Sequence, residues 1–69
     1  MSDRHFRILV VEDEPLIRWS IAETLGDEGH TVMQATDAAS AVRTLEHEDG
    51  IDVVLLDYRL PGANDLGLL

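Results

Sequence analysis

Two short apolar runs, each followed directly by acidic side chains, limit the folds open to this chain more than any other feature. The first lies in residues 7–12 and leads into the acidic stretch 12–14, and the second lies in residues 51–56 and leads into Asp57. Short runs rich in Val, Ile and Leu are typical of strands buried on both faces of a parallel sheet. In such sheets, ligand sites form at the carboxyl ends of the strands. The sequence therefore predicts that acidic side chains from two strands meet at one edge.

The carboxylates of Glu12, Asp13 and Asp57 would then lie in one small volume. Like charges this close are unfavourable unless a cation lies between them. Mg²⁺ prefers oxygen ligands in octahedral geometry and usually keeps several waters. These residues therefore predict a divalent-metal site in which one aspartate is placed to do chemistry. For Glu14 we prefer a different role, a negative charge at a helix N-terminus, where the helix macrodipole favours it.

Helical spacing begins directly after the first acidic stretch. Pro15 suits the first turn of a helix, where its missing N–H is no loss. Gly26 and Gly29 are the predicted helix stops. The apolar positions that recur at the helical period are Leu16, Ile17, Ile21 and Leu25. The pattern predicts an amphipathic helix that begins at Pro15.

A second strand and a second helix follow. Residues 31–35 read as a strand, and Asp37 is the predicted N-cap of a helix that ends at Asp49-Gly50. The predicted apolar face of this helix consists of Ala38, Ala41, Val42 and Leu45. Residues 65–69 look like the opening of a third helix. The element order β-α-β-α-β-α is typical of a parallel sheet with right-handed crossovers.

Composition narrows the class of protein further. The chain has 69 residues, with 14 acidic and five basic side chains and a net charge of −9. A surface this acidic argues against direct nucleic-acid binding, which needs clustered Lys and Arg. Residues 1–6 read as a polar tail rather than a signal peptide, and no apolar stretch approaches the roughly 20 residues of a membrane span. The absence of cysteine fits a reducing compartment, so we expect a cytoplasmic protein.

The two acidic strand ends also carry a family resemblance. Residues 8–15 resemble the first strand and acidic pair of a response-regulator receiver domain, and residues 53–62 resemble that family's third strand, phosphoacceptor aspartate and following loop. The resemblance extends over residues 7–69 and implies an α/β fold, a flavodoxin-like, doubly wound parallel sheet with strand order 2-1-3-4-5. The chain carries strands 2, 1 and 3 of that order. We therefore expect a partial receiver domain, truncated after the start of the third helix.

The resemblance also implies roles for individual residues. Asp57 would accept a phosphoryl group from a sensor histidine kinase or a histidine phosphotransfer protein. Asp13 and Asp57 would bind Mg²⁺ directly, or Mn²⁺ in its place, with the backbone carbonyl of Arg59 as a third ligand. Glu12 would act on the metal through a water molecule or by direct contact. Such a domain belongs to two-component phosphorelay signalling and catalyses only its own phosphorylation, so it is not an enzyme with other substrates.

Two other function classes compete with this interpretation. A receiver-like module that binds a partner without phosphotransfer is the alternative that the sequence leaves open. Phosphatases with an aspartate nucleophile usually place an Asp-x-Asp pair after the first strand, where this chain has Glu12-Asp13-Glu14, so that class does not fit. The receiver family usually has glycine where this chain has Asp65, and we expect the entry to the third helix to differ accordingly.

Two features predict contacts outside the acidic site. Trp19 lies off the apolar helical positions and is expected to be partly exposed or to face a partner. The strand over 51–56 would form an open apolar edge with unpaired N–H and C=O groups, which is a hazard for association. We therefore expect the isolated chain to be poorly ordered or to self-associate through that edge. His5, His30 and His47 match no metal-ligand spacing and read as surface residues.

Overall fold

Residues 4–56 fold into a parallel sheet of three strands with helices on its two faces. The computed structural model describes residues 4–56, and the predicted third helix lies outside them. The elements in chain order are β1 (Arg7–Val11), α1 (Pro15–Asp27), β2 (Thr31–Ala35), α2 (Ala38–His47) and β3 (Val53–Leu56). The strand order β2-β1-β3 confirms the predicted flavodoxin-like arrangement of the first three strands. Within residues 4–56, no helix has the length and apolar character needed to cross a membrane.

β1 is the central strand and the most buried part of the described chain. It pairs in parallel with β2 on one side and with β3 on the other. Leu9 is 0% exposed and Val10 is 1% exposed, as expected for a strand with neighbours at both edges. The strand ends at Val11, one residue before the predicted end, yet the Glu12 N–H still donates to the Ala35 carbonyl at 3.0 Å. The backbone ladder therefore reaches the first acidic residue.

The start of α1 follows from the residues directly after β1. The Glu14 carboxylate accepts a hydrogen bond from the Leu16 N–H at 3.1 Å, and Pro15 is the first helical residue. A carboxylate in this position satisfies one of the N–H groups that a helix leaves unbonded at its start. The predicted placement of Glu14 and Pro15 at the helix N-terminus is confirmed.

The end of α1 is set by one of the two predicted glycines. The helix continues through Gly26 and ends before Gly29, whose φ of 95° is a conformation that only glycine adopts readily. The Gly29 N–H donates to the Gly26 carbonyl at 3.0 Å, and the His30 N–H donates to the Leu25 carbonyl at 3.2 Å. This pair of bonds is the Schellman pattern, which satisfies the last carbonyls of a helix.

A capping box starts α2. Asp37 Oδ1 accepts from the Ser40 N–H at 2.8 Å, and Ser40 Oγ accepts from the Asp37 N–H at 3.3 Å. The predicted N-cap is confirmed. The backbone and hydroxyl bonds to Ser40 also hold the pKa of Asp37 below its usual value of 3.8, because they stabilise the charged carboxylate.

The two faces of the sheet are buried to different extents. Consecutive right-handed crossovers to β2 on one side of β1 and to β3 on the other put α1 and α2 on opposite faces. The buried core on the α2 face consists of Leu9, Val11, Ala35 and Ala41, with Met33 and Ile51 packed against it. On the α1 face, an apolar groove of about 440 Å³ opens between α1 and β3.

The predicted apolar faces of both helices are therefore only partly correct. Leu16 of α1 is 75% exposed, and Val42 and Leu45 of α2 are 51% and 44% exposed. Ala41 is the single buried residue that α2 contributes. Each helix contacts the described sheet along one narrow stripe, which leaves the flanking apolar side chains in solvent.

β3 begins at Val53, two residues later than predicted, because Asp52 bonds β1 through its side chain. Its carboxylate accepts from the Arg7 N–H at 2.9 Å, and its own N–H donates to the Arg7 carbonyl at 2.8 Å. The Arg7 guanidinium also donates to the Asp49 carbonyl and pairs with Glu48 at 2.9 Å. The loop before β3 is thus tied to the first residue of β1.

Candidate functional site

The acidic stretch leaves the sheet at the carboxyl end of β1. Val11, the last residue of this strand, pairs with Ala35 of β2 and with Leu56 of β3. The carboxyl ends of all three strands therefore lie side by side. Glu12 and Asp13 follow directly from the central strand, at the edge where ligand sites form in parallel sheets.

Glu12 is the buried carboxylate of this turn, with 2% of its surface exposed. Its Oε2 accepts a hydrogen bond from the Glu14 N–H at 2.9 Å. Removing a charged group from water is costly unless hydrogen bonds replace the lost hydration. The bond to Glu14 replaces part of that hydration, at Oε2, and closes the turn between β1 and α1.

Asp13 and Glu14 are exposed neighbours with different surroundings. The Glu14 carboxylate is occupied at the start of α1, where its Oε1 accepts from the Leu16 N–H. Asp13 stands between two residues whose carboxylates both bind backbone N–H groups. The Asp13 side chain itself is exposed to solvent.

Arg18 of α1 reaches back to the same turn, a contact that the sequence pattern did not predict. Its Nη1 donates to the Glu12 carbonyl at 2.8 Å, and its Nε donates to Gln34 Oε1 at 3.3 Å. The available signal was the direction of helical side chains, which tilt toward the helix N-terminus. A long basic side chain early in α1 is therefore able to return to the strand end that precedes the helix.

The remaining predicted ligands, Asp57 and Arg59, lie outside the described residues. Among residues 4–56, no three acidic or histidine side chains are grouped so as to hold a metal ion. Glu12 and Asp13 nevertheless supply carboxylate oxygens, the ligand type that Mg²⁺ prefers. The donor chemistry at this strand end therefore fits a hard divalent ion, and the described residues provide two of the four predicted ligands.

Trp19 and the histidines lie away from this turn. Trp19 is 59% exposed, in line with the prediction. His30 is half-buried: its Nδ1 accepts from the Phe6 N–H at 3.1 Å, and the two rings lie 5.4 Å apart between centroids. His5 Nε2 lies 2.7 Å from Thr31 Oγ1. The prediction that His30 is an ordinary surface residue is wrong, because it joins the chain before β1 to the start of β2.

Three curated relatives have similar sequences. The transcriptional regulatory protein TcrA of Mycobacterium tuberculosis is 48% identical over 58 residues, which cover 84% of this chain and 22% of that protein. The transcriptional regulatory protein AruR of Pseudomonas aeruginosa is 41% identical over 66 residues, covering 90% of this chain and 27% of its own length. The phosphate regulon transcriptional regulatory protein PhoB of Klebsiella pneumoniae is 45% identical over 60 residues, which cover 87% of this chain and 26% of that protein. The chain thus spans about a quarter of the length of these relatives.

A family model agrees with these relatives. The model described as the response regulator receiver domain matches residues 8–69. No solved structure matches the chain significantly. The matched range contains the described sheet from Ile8 onward and the acidic turn after β1. The chain therefore belongs to the family of response regulator receiver domains.

Proposed function

We propose that this chain is a phosphoacceptor domain in which Asp57 receives a phosphoryl group while Mg²⁺ binds beside it. The observation that carries the proposal is the register of the sheet, in which Val11 of β1 pairs with Leu56 of β3. Glu12 follows Val11 and Asp57 follows Leu56 in the sequence. Parallel strands paired in this way support the convergence of their acidic ends at one edge.

The proposed metal ligands are the carboxylates of Asp13 and Asp57 and the backbone carbonyl of Arg59. Glu12 takes part through a water molecule or by direct contact, and Mn²⁺ is able to replace Mg²⁺. Two described features support this set. Glu12 is buried at the strand end with one oxygen bound to the Glu14 N–H, and Asp13 beside it is exposed. Oxygen ligands of this kind suit both ions.

The proposed reaction is a transfer between two side chains. An oxygen of the Asp57 carboxylate attacks the phosphorus of a phosphohistidine, a P–O bond forms, and the P–N bond breaks with its electron pair remaining on the histidine nitrogen. Mg²⁺ held by Asp13, Asp57 and the Arg59 carbonyl would supply positive charge that offsets the charge on the phosphoryl oxygens. Glu12 and Asp13 would supply the acidic side chains next to Asp57. Since the acceptor belongs to the domain itself, the chain is a signalling domain that catalyses only its own phosphorylation.

The proposed partners are a sensor histidine kinase or a histidine phosphotransfer protein in the cytoplasm. Family membership supports this class of partner, and the relatives TcrA and PhoB are transcriptional regulatory proteins. Phosphorylation would shift an equilibrium between two conformations and so control an output. Self-association through the β3 edge has no support from the relatives and forms no part of the proposal.

Intact-mass measurement tests the phosphoacceptor directly. The full protein is treated with a small acyl phosphate, with and without Mg²⁺, and the mass of one added phosphoryl group is expected only when Mg²⁺ is present. Asp57→Asn keeps the shape of the side chain but removes the nucleophilic charge, so no adduct is expected. Asp27→Asn, at an exposed position in the last turn of α1, is the matched control and should be modified like the wild type.

Two outcomes would contradict the proposal. An undiminished adduct on Asp57→Asn would place the acceptor at another residue. No adduct on the wild type, under conditions in which the protein is folded and Mg²⁺ is bound, would favour an interaction module without phosphotransfer.

A further inference from the structure

Arg18 joins three elements next to the acidic turn. It lies one turn into α1, and its guanidinium bonds the Glu12 carbonyl at the end of β1 and the Gln34 side chain of β2, at 2.8 and 3.3 Å. The residue is half-buried, and arginine is seldom withdrawn from water without such partners. The side chain therefore ties the first turns of α1 to the carboxyl ends of two strands.

The bond to the Glu12 carbonyl matters for the residue that follows. This carbonyl belongs to the planar peptide group that joins Glu12 to Asp13. The backbone of Glu12 is consequently held at both ends, since its N–H donates to the Ala35 carbonyl at 3.0 Å and its C=O accepts from Arg18. Without Arg18, the carbonyl of this peptide would lose its hydrogen-bond donor, and the backbone next to Asp13 would be held less tightly.

We propose that Arg18 is a positioning residue for the metal site, which fixes the Asp13 carboxylate by holding the Glu12–Asp13 peptide. The inference rests on the proposed function, because it assumes that Asp13 binds Mg²⁺. A guanidinium has no acceptor and cannot itself be a ligand, so its effect passes through Asp13. Its planar fork bonds two acceptors at fixed angles, whereas a lysine ammonium is a compact charge on a flexible stem with no fixed donor geometry.

Calorimetric titration of the full protein with Mg²⁺ tests this role. Arg18→Gln should weaken Mg²⁺ binding by about tenfold, the effect typical of groups that orient metal ligands from behind. Arg18→Lys should lose less affinity, because the ammonium is still able to donate to the Glu12 carbonyl but not to Gln34 as well. Arg43→Gln, at an exposed position of α2, is the matched control and should keep wild-type affinity. Thermal unfolding of each variant without Mg²⁺ separates a loss of affinity from a loss of stability.

The Mg²⁺ affinities of the Arg18 and Asp13 variants show whether the inference holds. Wild-type affinity in a folded Arg18→Gln variant would overturn the inference. If that variant does not fold, wild-type affinity in Arg18→Met, which keeps an unbranched stem but has no N–H donor for the Glu12 carbonyl, would overturn it equally. Asp13→Asn separates this inference from the proposed function. If Asp13→Asn leaves Mg²⁺ affinity unchanged, the proposed metal site itself is wrong. If it weakens binding while the Arg18 variants do not, only the role of Arg18 is wrong.

Discussion

β1 and β3 are similar in composition but differ in their surroundings. Residues 8–11 and 53–56 are both uninterrupted apolar runs, and the sequence predicts a buried strand for each. In the structure Leu9 of β1 is 0% exposed, whereas Leu55 and Leu56 of β3 are 39% and 53% exposed. Within residues 4–56, β1 has a strand on both sides and β3 has one on a single side. Position in the sheet, which an apolar run does not encode, decides how deeply each strand is buried.

The difference in burial between β1 and β3 also bears on the proposed site. The acidic turn follows β1 directly, and β1 is paired with a strand on both sides. The backbone of Glu12 in this turn is also hydrogen-bonded to Ala35 and to Arg18. A buried central strand is a rigid base for side chains that must keep their geometry. We therefore infer that the β1 end is the preformed half of the proposed site.

Truncation of Leu9 should have the largest effect on stability. Leu9→Ala removes a fully buried side chain and leaves a cavity, which should lower the free energy of unfolding by about 2–5 kcal/mol. Leu55→Ala removes a side chain that is already 39% exposed, so its cost should be clearly smaller. Urea unfolding followed by circular dichroism measures both. Equal costs would mean that β3 is covered as fully as β1 in solution, and the contrast between the strands would disappear.

Alanine at Gly50 tests the loop that leads into β3. Gly50 has a φ of 78°, and an added Cβ would lie 3.2 Å from Arg7 Nη1. Because a left-handed conformation costs other residues about 1–2 kcal/mol, Gly50→Ala should lower the free energy of unfolding by roughly that amount. Gly26→Ala is the matched control: it lies inside α1 with nothing within 4 Å of the added Cβ, and it should raise stability. Thermal unfolding compares the two, and a stabilised Gly50→Ala would show that the loop is not held as described.

The cap of α2 should give the smallest effect, seen only as a function of pH. Hydrogen bonds from Ser40 lower the pKa of Asp37 from 3.8. Asp37 therefore stabilises the folded state above its unfolded pKa, and this contribution is lost as the pH falls through the lower, folded pKa. Asp37→Asn still caps the helix but does not titrate. The unfolding temperatures of wild type and Asp37→Asn should differ near neutral pH and converge below pH 3.8. A difference that stays constant with pH would contradict the assignment.

Local sequence signals predicted the ends of elements better than their packing. Pro15 and Asp37 mark helix starts that depend only on the residues within one turn, and both are found where predicted. Leu16 fits the apolar period of α1 yet is 75% exposed, because burial depends on what covers the helix. Asp52 was predicted within a strand, but its carboxylate bonds Arg7 from 45 positions away in the sequence. No local pattern contains such a contact.

For the candidate site, too, the sequence predicted the positions of residues in the chain but not their contacts. Glu12 and Asp13 follow from the strand pattern alone, since a parallel sheet places them at a ligand-binding edge. The burial of Glu12 and its bond to Glu14 depend on the geometry of the turn, and the contact from Arg18 depends on how α1 packs. The role of Asp57 stays a prediction, as it lies outside the described residues.

The acidic ends of β1 and β3 are proposed to bind one metal ion together, and the proposed phosphoryl transfer depends on that binding. Calorimetric titration of the full protein with Mg²⁺ tests it most directly, with wild type, Asp13→Asn, Asp57→Asn and the control Asp27→Asn compared under identical conditions. We predict one Mg²⁺ per chain, bound at least about tenfold more weakly after either substitution at Asp13 or Asp57 and unchanged in the control. Wild-type affinity in Asp13→Asn, or two ions of which each variant loses one, would contradict the claim.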